Sequence, residues 1–327
     1  MLLEIDDSVF ITTNNNFLSL VSSSAIYNKI YVYYDKEKPL FSSWISAKSI
    51  EDKATWDTIL DATEVDMARY NLENKATVSN IPSSLLDEDI PIYSIDDAAK
   101  VINLPFMIYL ENGRADNGFI KSTLSSNDRV LVSKLEMDEK LHFQGKGGVG
   151  ELKKELSLAV ERLFYRNKLF VVCDSDADIP GNINPDPSAI IAISSTAKVK
   201  HHCLERRAIE NYMPIEYLKG KIPAEYRDGS VTFKMYEVIS NMSEPQRFHF
   251  HMKKGFKDGS CSRSPLYKDM DEDDKELIKD GFGATYAGDY TGNSSVIDCI
   301  STHLLAENNH EVLLLSRKFM NYIRLPV

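Results

Sequence analysis

The sequence predicts an α/β protein, and three observations carry that prediction. Two apolar runs of strand length, "LPFMIYL" from residue 104 and "LFVVC" from residue 169, show no polar alternation. Strands covered on both faces read that way. Between them, "ELKKELSLAVERLFYRN" sets Leu152, Leu156, Val160, Leu163 and Phe164 on one helical face. A hydrophobic fraction of 43% over 327 residues is enough to fill real cores. Apolar strands alternating with helix predict a small, mostly parallel sheet flanked by helices.

The elements follow in order. Residues 1–103 read as an N-terminal α+β accessory module. In it "SVFITT" and "KIYVYYD" have the β-branched and aromatic content of strands. "SIEDKATWDTIL" opens a helix, with Ser49 as its N-cap and acids behind it. "SNIPSSLLDEDIPIYS" is a loop by its Pro and Ser content. No catalytic constellation precedes residue 105, so partner binding or support is the expected role of this part. Residues 104–260 form the core, where "RVLVSKL" and "SAIIAISS" read as further apolar strands. "GKGGVGEL" mimics a phosphate loop but lacks its closing Lys-Ser/Thr, since Glu151 follows Gly150. It reads as a turn ahead of a helix from Glu151, with glycines and a lysine suited to line a nucleic-acid path. "TFKMYEVIS" and "RFHFHMKKGF" fit strand or helix equally. Residues 261–327 read as a helical extension, in which "KDMDEDDKELIKDG" is a solvated helix start and the segment from "NSSVIDC" onward is helical.

Composition bounds the function. A net charge of −11 argues against a general nucleic-acid coat protein but leaves room for a nucleic-acid enzyme, because acidic cation sites themselves add negative charge. No apolar run reaches about 18 residues, so no transmembrane helix is expected. "MLLEIDDSVF" carries acids where a signal peptide needs a basic region, which predicts a cytoplasmic protein. The four cysteines are far apart and form no CxxC pair, so buried free thiols are expected.

The chemistry concentrates at "LFVVCDSDADIPG", residues 169–181, where an apolar run ends in Asp174, Asp176 and Asp178. An EF-hand calcium loop requires Gly at its sixth position and Glu at its twelfth; Ile179 and Pro185 stand there instead. A haloacid-dehalogenase-type phosphatase would use the first Asp as nucleophile, but Asp178 occupies the position of its Thr or Val. A third reading uses more of the chain. Ligands of parallel sheets gather outside the C-terminal strand ends. Glu111 follows one apolar run and Asp174 another. In an extended continuation Asp174 and Asp176 share a side. Three carboxylates then converge on a hard divalent cation able to serve phosphodiester hydrolysis.

"YLENGRADNGFI", "FVVCDSDADIPG" and "HHCLERRAIENYMP", in that order, resemble the TOPRIM domain. They are most similar to the TOPRIM nucleases of the overcoming-lysogenization-defect group and to stand-alone TOPRIM effectors of bacterial anti-phage systems. The resemblance covers roughly residues 104–260. It implies a Mg2+- or Mn2+-dependent nuclease acting on DNA or RNA, with tRNA among the candidate substrates. It also implies a toxic effector held by an ATPase or another partner protein. Carried over residue by residue, Glu111 becomes a metal ligand or general base, Asp174 and Asp176 the paired metal ligands, and Glu210 the further acid of this branch. A downstream lysine near the metals corresponds to Lys253 or Lys254. Asp178 is an extra acid, included among the candidate ligands. Asp116 stands one residue later than the pattern's next acid and is left out. Local alternatives stay open: Glu210 could pair with Arg206 or Arg207 along a helix. His249 and His251 could join His201, His202 or Cys203 at a zinc, although the spacing is not diagnostic. The chain could also be a non-catalytic scaffold of the same fold.

Overall fold

The computed structural model describes residues 1–257, 259–307 and 309–326, with the side chains of residues 163–165 outside the description. It is an α/β protein built on two four-stranded sheets, and every strand pair in both is parallel.

The first sheet contains β1 (Leu2–Ile5), β2 (Tyr31–Tyr33), β3 (Lys75–Val78) and β4 (Ile92–Tyr93), in the order β2-β1-β3-β4. Its crossovers contain α1 (Asn15–Ile26), α2 (Pro39–Ser46) and α3 (Ile50–Arg69). Parallel neighbours need such crossovers, so this part is α/β and not the expected α+β. "SVFITT" was also misplaced: the strand is the preceding "LLEI", and Asp7–Val9 and Thr12–Asn14 are short 3-10 turns. The Asp6 side chain accepts from the Ser8 amide and stops the strand. Ser49 caps α3 as expected, accepting from the Asp52 amide.

After α4 (Ile95–Ile102), the second sheet comprises β5 (Phe106–Leu110), β6 (Leu141–Gly145), β7 (Leu169–Cys173) and β8 (Lys200–Cys203), in the order β6-β5-β7-β8. Between its strands lie α5 (Ala115–Ser122), α6 (Ser126–Met137), α7 (Val149–Glu161) and α8 (Pro185–Thr196). Two expected strands are helices. "RVLVSKL" lies in α6, where Ser125 caps the Asp128 amide and Val132 and Leu135 are buried three residues apart. "SAIIAISS" lies in α8, started by Pro185 and burying Pro187, Ile190 and Ser194 at helical spacing. The strands they displaced, "LHFQG" and "KHHC", are short and polar at sheet edges. In α7, Leu152 and Leu156 are buried as expected; Leu163 and Phe164 lie beyond its end, and their side chains are outside the described residues.

Phe106, Ile108 and Leu110 of β5 face a core that runs on into the first sheet through Leu3, Val32 and Val78. Phe319 and Tyr322 of the terminal helix, His310–Ile323, cover this face, with Phe170 and Phe319 ring centroids 5.9 Å apart. Leu152, Leu156 and Ile190 of α7 and α8 cover the other face. The two sheets therefore share one apolar core. Polar ties add to it: the Asn74 amide side chain donates to the Asn167 carbonyl at 2.8 Å, and Lys200 pairs with Glu73 at 3.7 Å. "TFKMYEVIS" is part of a helix, Val231–Asn241, and "KDMDEDDKELIKDG" holds an exposed short helix capped by Asp271. Among the described residues, no helix is long and apolar enough to cross a membrane.

Candidate active site

In the second sheet the connections leave in opposite directions on either side of β5 and β7. Such a switch point opens a crevice at the C-terminal strand ends. Glu111 immediately follows β5 and Asp174 immediately follows β7. The Asp174 amide donates to the Glu111 carboxylate at 2.9 Å, fixing one to the other. The Asp174 carboxylate in turn accepts from the Ile209 amide at 3.1 Å. Asp116, in the first turn of α5, accepts from the Asn112 amide at 2.8 Å and so closes its own loop.

Glu210 arrives from the far side on the buried turn Ile209–Tyr212. Each residue of that turn has a task. Ile209 packs into the core. Asn211 donates to the Arg247 and Phe250 carbonyls, both at 2.9 Å. The Tyr212 hydroxyl donates to Glu311, which also accepts from the Glu205 amide at 2.7 Å. Glu210 itself pairs with Lys253 at 2.8 Å. Arg206 and Arg207 precede the 3-10 turn Ile209–Tyr212 and lie on no helix with Glu210, so among the described residues Glu210 pairs with Lys253, and Arg206 lies over the Phe248 ring at 3.8 Å.

The glycine-rich loop forms the remaining wall. Gly147 and Gly148, with φ of +89° and +116°, turn their amides onto the Glu111 carbonyl at 3.0 and 3.1 Å. Gly113 and Gly145 are in close backbone approach: a Cβ on Gly145 would sit 2.1 Å from the Gly113 nitrogen. Gly145→Ala is therefore expected to push the two loops apart, costing about 1–3 kcal/mol of stability. Urea unfolding measures the loss, and an unchanged midpoint would contradict this packing.

Together these groups line a cleft of about 470 Å³. Of the residues singled out in the sequence, Glu111, Asp174, Glu210 and Lys253 line it, joined by Asp116. Asp176, Asp178 and Lys254 do not. The extended continuation assumed for Asp174 and Asp176 breaks because β7 ends at Cys173 and Asp176 turns left-handed, at φ +48°. The charge of Asp176 still acts on Glu111 and Asp174. Asp178 accepts from the Asn182 side chain at 2.8 Å, and Lys254 is exposed. The candidate zinc residues are dispersed in their bonding: His249 meets the Ala177 carbonyl, His201 the Val199 carbonyl, and His202 the Glu311 carboxylate.

Four carboxylates and one ammonium make the cleft electrostatically unbalanced. Burial, followed by the charges of Asp176 and Asp116, pushes Glu111 up to about 8 against the opposing Asp174 amide. Burial, with the charge of Glu210, pushes Asp116 up to about 7. Asp174 is raised well above the carboxylate range by burial and then by Glu111 and Asp116. Burial alone would lower Lys253, but Glu210 outweighs it and the ammonium is held on.

The donor set is all oxygen, which suits a hard divalent cation. Among the described residues, no three His, Cys, Asp or Glu side chains are grouped closely enough to enclose a metal ion. The cleft is thus an open acidic bowl and not a closed cage. Magnesium is compatible with that shape, since it takes one or two carboxylates and keeps several waters.

Comparison with protein-family models, curated proteins and solved structures returned no match.

The raised carboxyls make a pH prediction. Glu111 and Asp116 bind protons more tightly folded than unfolded, where values near 4.5 and 3.8 apply. The folded chain therefore takes up protons between about pH 4 and 8, and its stability without metal falls as pH rises through that window. Melting temperature is expected to drop from pH 5 to pH 8 and to recover on adding Mg2+ or Mn2+ at pH 8. A flat profile without metal would show that the carboxylates are not in mutual conflict.

Proposed function

We propose that this chain is a metal-dependent nuclease of the TOPRIM type, hydrolysing phosphodiester bonds of DNA or RNA. The observation that carries the reading is the convergence of Glu111, Asp174, Glu210 and Lys253, from four separate segments, on one cleft at the switch point of a parallel sheet. The ordered sequence segments around Glu111, Asp174 and Glu210 resemble that family, and the parallel architecture is compatible with it.

Glu111, Asp116 and Asp174, each with one carboxylate oxygen tied to a backbone amide, would hold the cation through one or two of their carboxylates and otherwise through its waters. A bound divalent cation supplies charge for the phosphate and acidifies a coordinated water. Without a cation the Glu111 carboxyl is raised to about 8, and a bound divalent cation would hold it ionised. Lys253, fixed by Glu210, presents a permanent positive charge to an anionic substrate. In cells, the reading is a toxic effector of anti-phage defence restrained by an ATPase or another partner, with tRNA or DNA as target.

The test incubates the purified chain with labelled DNA and with tRNA, in Mg2+, in Mn2+ and in EDTA. Cleavage is expected only with a divalent ion, and Glu111→Gln should abolish it while leaving the circular dichroism spectrum unchanged. Metal-independent cleavage, or wild-type rates in Glu111→Gln, would overturn the reading. Metal binding without cleavage of either substrate would leave a non-catalytic scaffold.

A further inference from the structure

Cys173 is the last residue of β7 and Cys203 the last of β8, and the parallel register pairs them directly. Partners in register lie on the same face of the sheet, about 4.8 Å apart from strand to strand. That separation is inside the roughly 4.4–6.8 Å Cα range of disulfides. Both side chains belong to the apolar layer under α7 and α8.

Their access differs. Cys173 is 3% exposed. Cys203 is only partly buried and opens into a hollow of about 450 Å³ lined by Pro180, Gly181, Ile183 and Leu204. The hollow is distinct from the acidic cleft, yet the two meet at one residue. The Cys203 thiol contacts the Asp174 carbonyl at 3.7 Å, while the Asp174 carboxylate lines the cleft.

We infer that Cys203 and Cys173 form a peroxide-sensitive thiol pair, oxidised to a disulfide that displaces Asp174. The Cys203 sulfur attacks a peroxide oxygen. The O–O bond breaks, one water leaves, and Cys203 becomes a sulfenic acid. The Cys173 sulfur then attacks the Cys203 sulfur, the S–O bond breaks, and a second water leaves with the remaining proton. Two thiols lose two electrons and hydrogen peroxide becomes two waters. Once bonded to Cys173, the Cys203 sulfur no longer donates to the Asp174 carbonyl. The strand ends draw together beneath a residue whose amide and carboxylate hold Glu111 and Ile209 in place. The consequence for cation binding rests on the proposed function; the thiol chemistry does not.

The experiment uses the full-length chain carrying Cys299→Ser, which removes the exposed thiol. It is treated with hydrogen peroxide and read by non-reducing intact mass and peptide mapping. Loss of two hydrogens, mapped to a Cys173–Cys203 link and reversed by dithiothreitol, is expected; Cys203→Ala and Cys173→Ala should each prevent it. Oxygen addition at single cysteines without a link, or no change before the chain unfolds, would overturn the thiol pair. Since both outcomes are read on a chain that keeps both thiols, they do not depend on the alanine variants folding. Mn2+ affinity by calorimetry is then compared between reduced and oxidised chains, with a tenfold or greater loss expected on oxidation. Equal affinity would remove the connection to Asp174. A link forming in a chain that binds no Mn2+ even when reduced would reject the nuclease reading and keep the thiol pair.

Discussion

Asp174→Asn is expected to lower metal-dependent cleavage by about a thousandfold or more, while raising the melting temperature of the metal-free chain. Both effects have one origin. Asp174 is half-buried, lines the cleft, and sits among the charges of Glu111, Asp116, Glu210 and Asp176. Asparagine is nearly the same size and keeps an oxygen to accept the Ile209 amide. It cannot supply the negative charge that holds a cation, and it removes one party to the repulsion. Asp176→Asn makes the contrast: it acts on the cleft through its charge and does not line it, so its loss should be much smaller. The measurement is single-turnover cleavage alongside melting in EDTA. Comparable activity in Asp174→Asn and wild type would remove Asp174 from the site.

Glu311→Ala is expected to destabilise the fold by about 3–5 kcal/mol, in the range found when one partner of a buried polar cluster is deleted. Glu311 lies at the start of the terminal helix and is 3% exposed. Its two oxygens serve three donors on the site side: the Tyr212 hydroxyl, the Glu205 amide and His202 Nε2 at 3.2 Å. Alanine strands all three away from water. Glu311→Gln keeps an oxygen and much of the shape, so it should lose less. Chemical denaturation of both variants checks the order, and cleavage by the folded fraction of Glu311→Ala reports how far Glu210 depends on the clamp. A loss below about 1 kcal/mol for alanine would mean that the cluster is solvated.

Much of the architecture was legible because it is written in local rules. The unbroken apolar runs of β5 and β7 announce buried central strands, and Ser49 caps its helix with a side chain that only needs its neighbours. The edge strands β6 and β8 were missed because "LHFQG" alternates over only two apolar residues and "KHHC" has no apolar period; neighbouring β5 and β7 supply their pairing, not their composition. The opposite error arose in α6 and α8, whose β-branched residues imitate strands until Ser125 and Pro185 are read as helix starts.

The site was legible in the same uneven way. Glu111 and Asp174 follow from the rule that strand ends carry ligands. Asp116 was set aside on a spacing argument, but α5 begins at Ala115 and its first turn swings the carboxylate back over Asn112. The wall made by Gly145, Gly147 and Gly148 had a signal in its glycines, though not in any complete phosphate-loop motif. The support from Glu311 had none. It lies about a hundred residues from Glu210, and nothing in "NNHEVLLL" marks its glutamate as the anchor of a distant turn.

That distance has a meaning in time. A ribosome adds about 5–20 residues per second, so Glu311 is made roughly 5–20 s after Glu210. Until then the nascent chain holds Glu111, Asp174 and Glu210 without the clamp that seats the Glu210 turn. For the proposed toxic nuclease, synthesis itself postpones a finished cleft, and a partner that meets the chain as the Glu311 helix docks would find it before its first turnover.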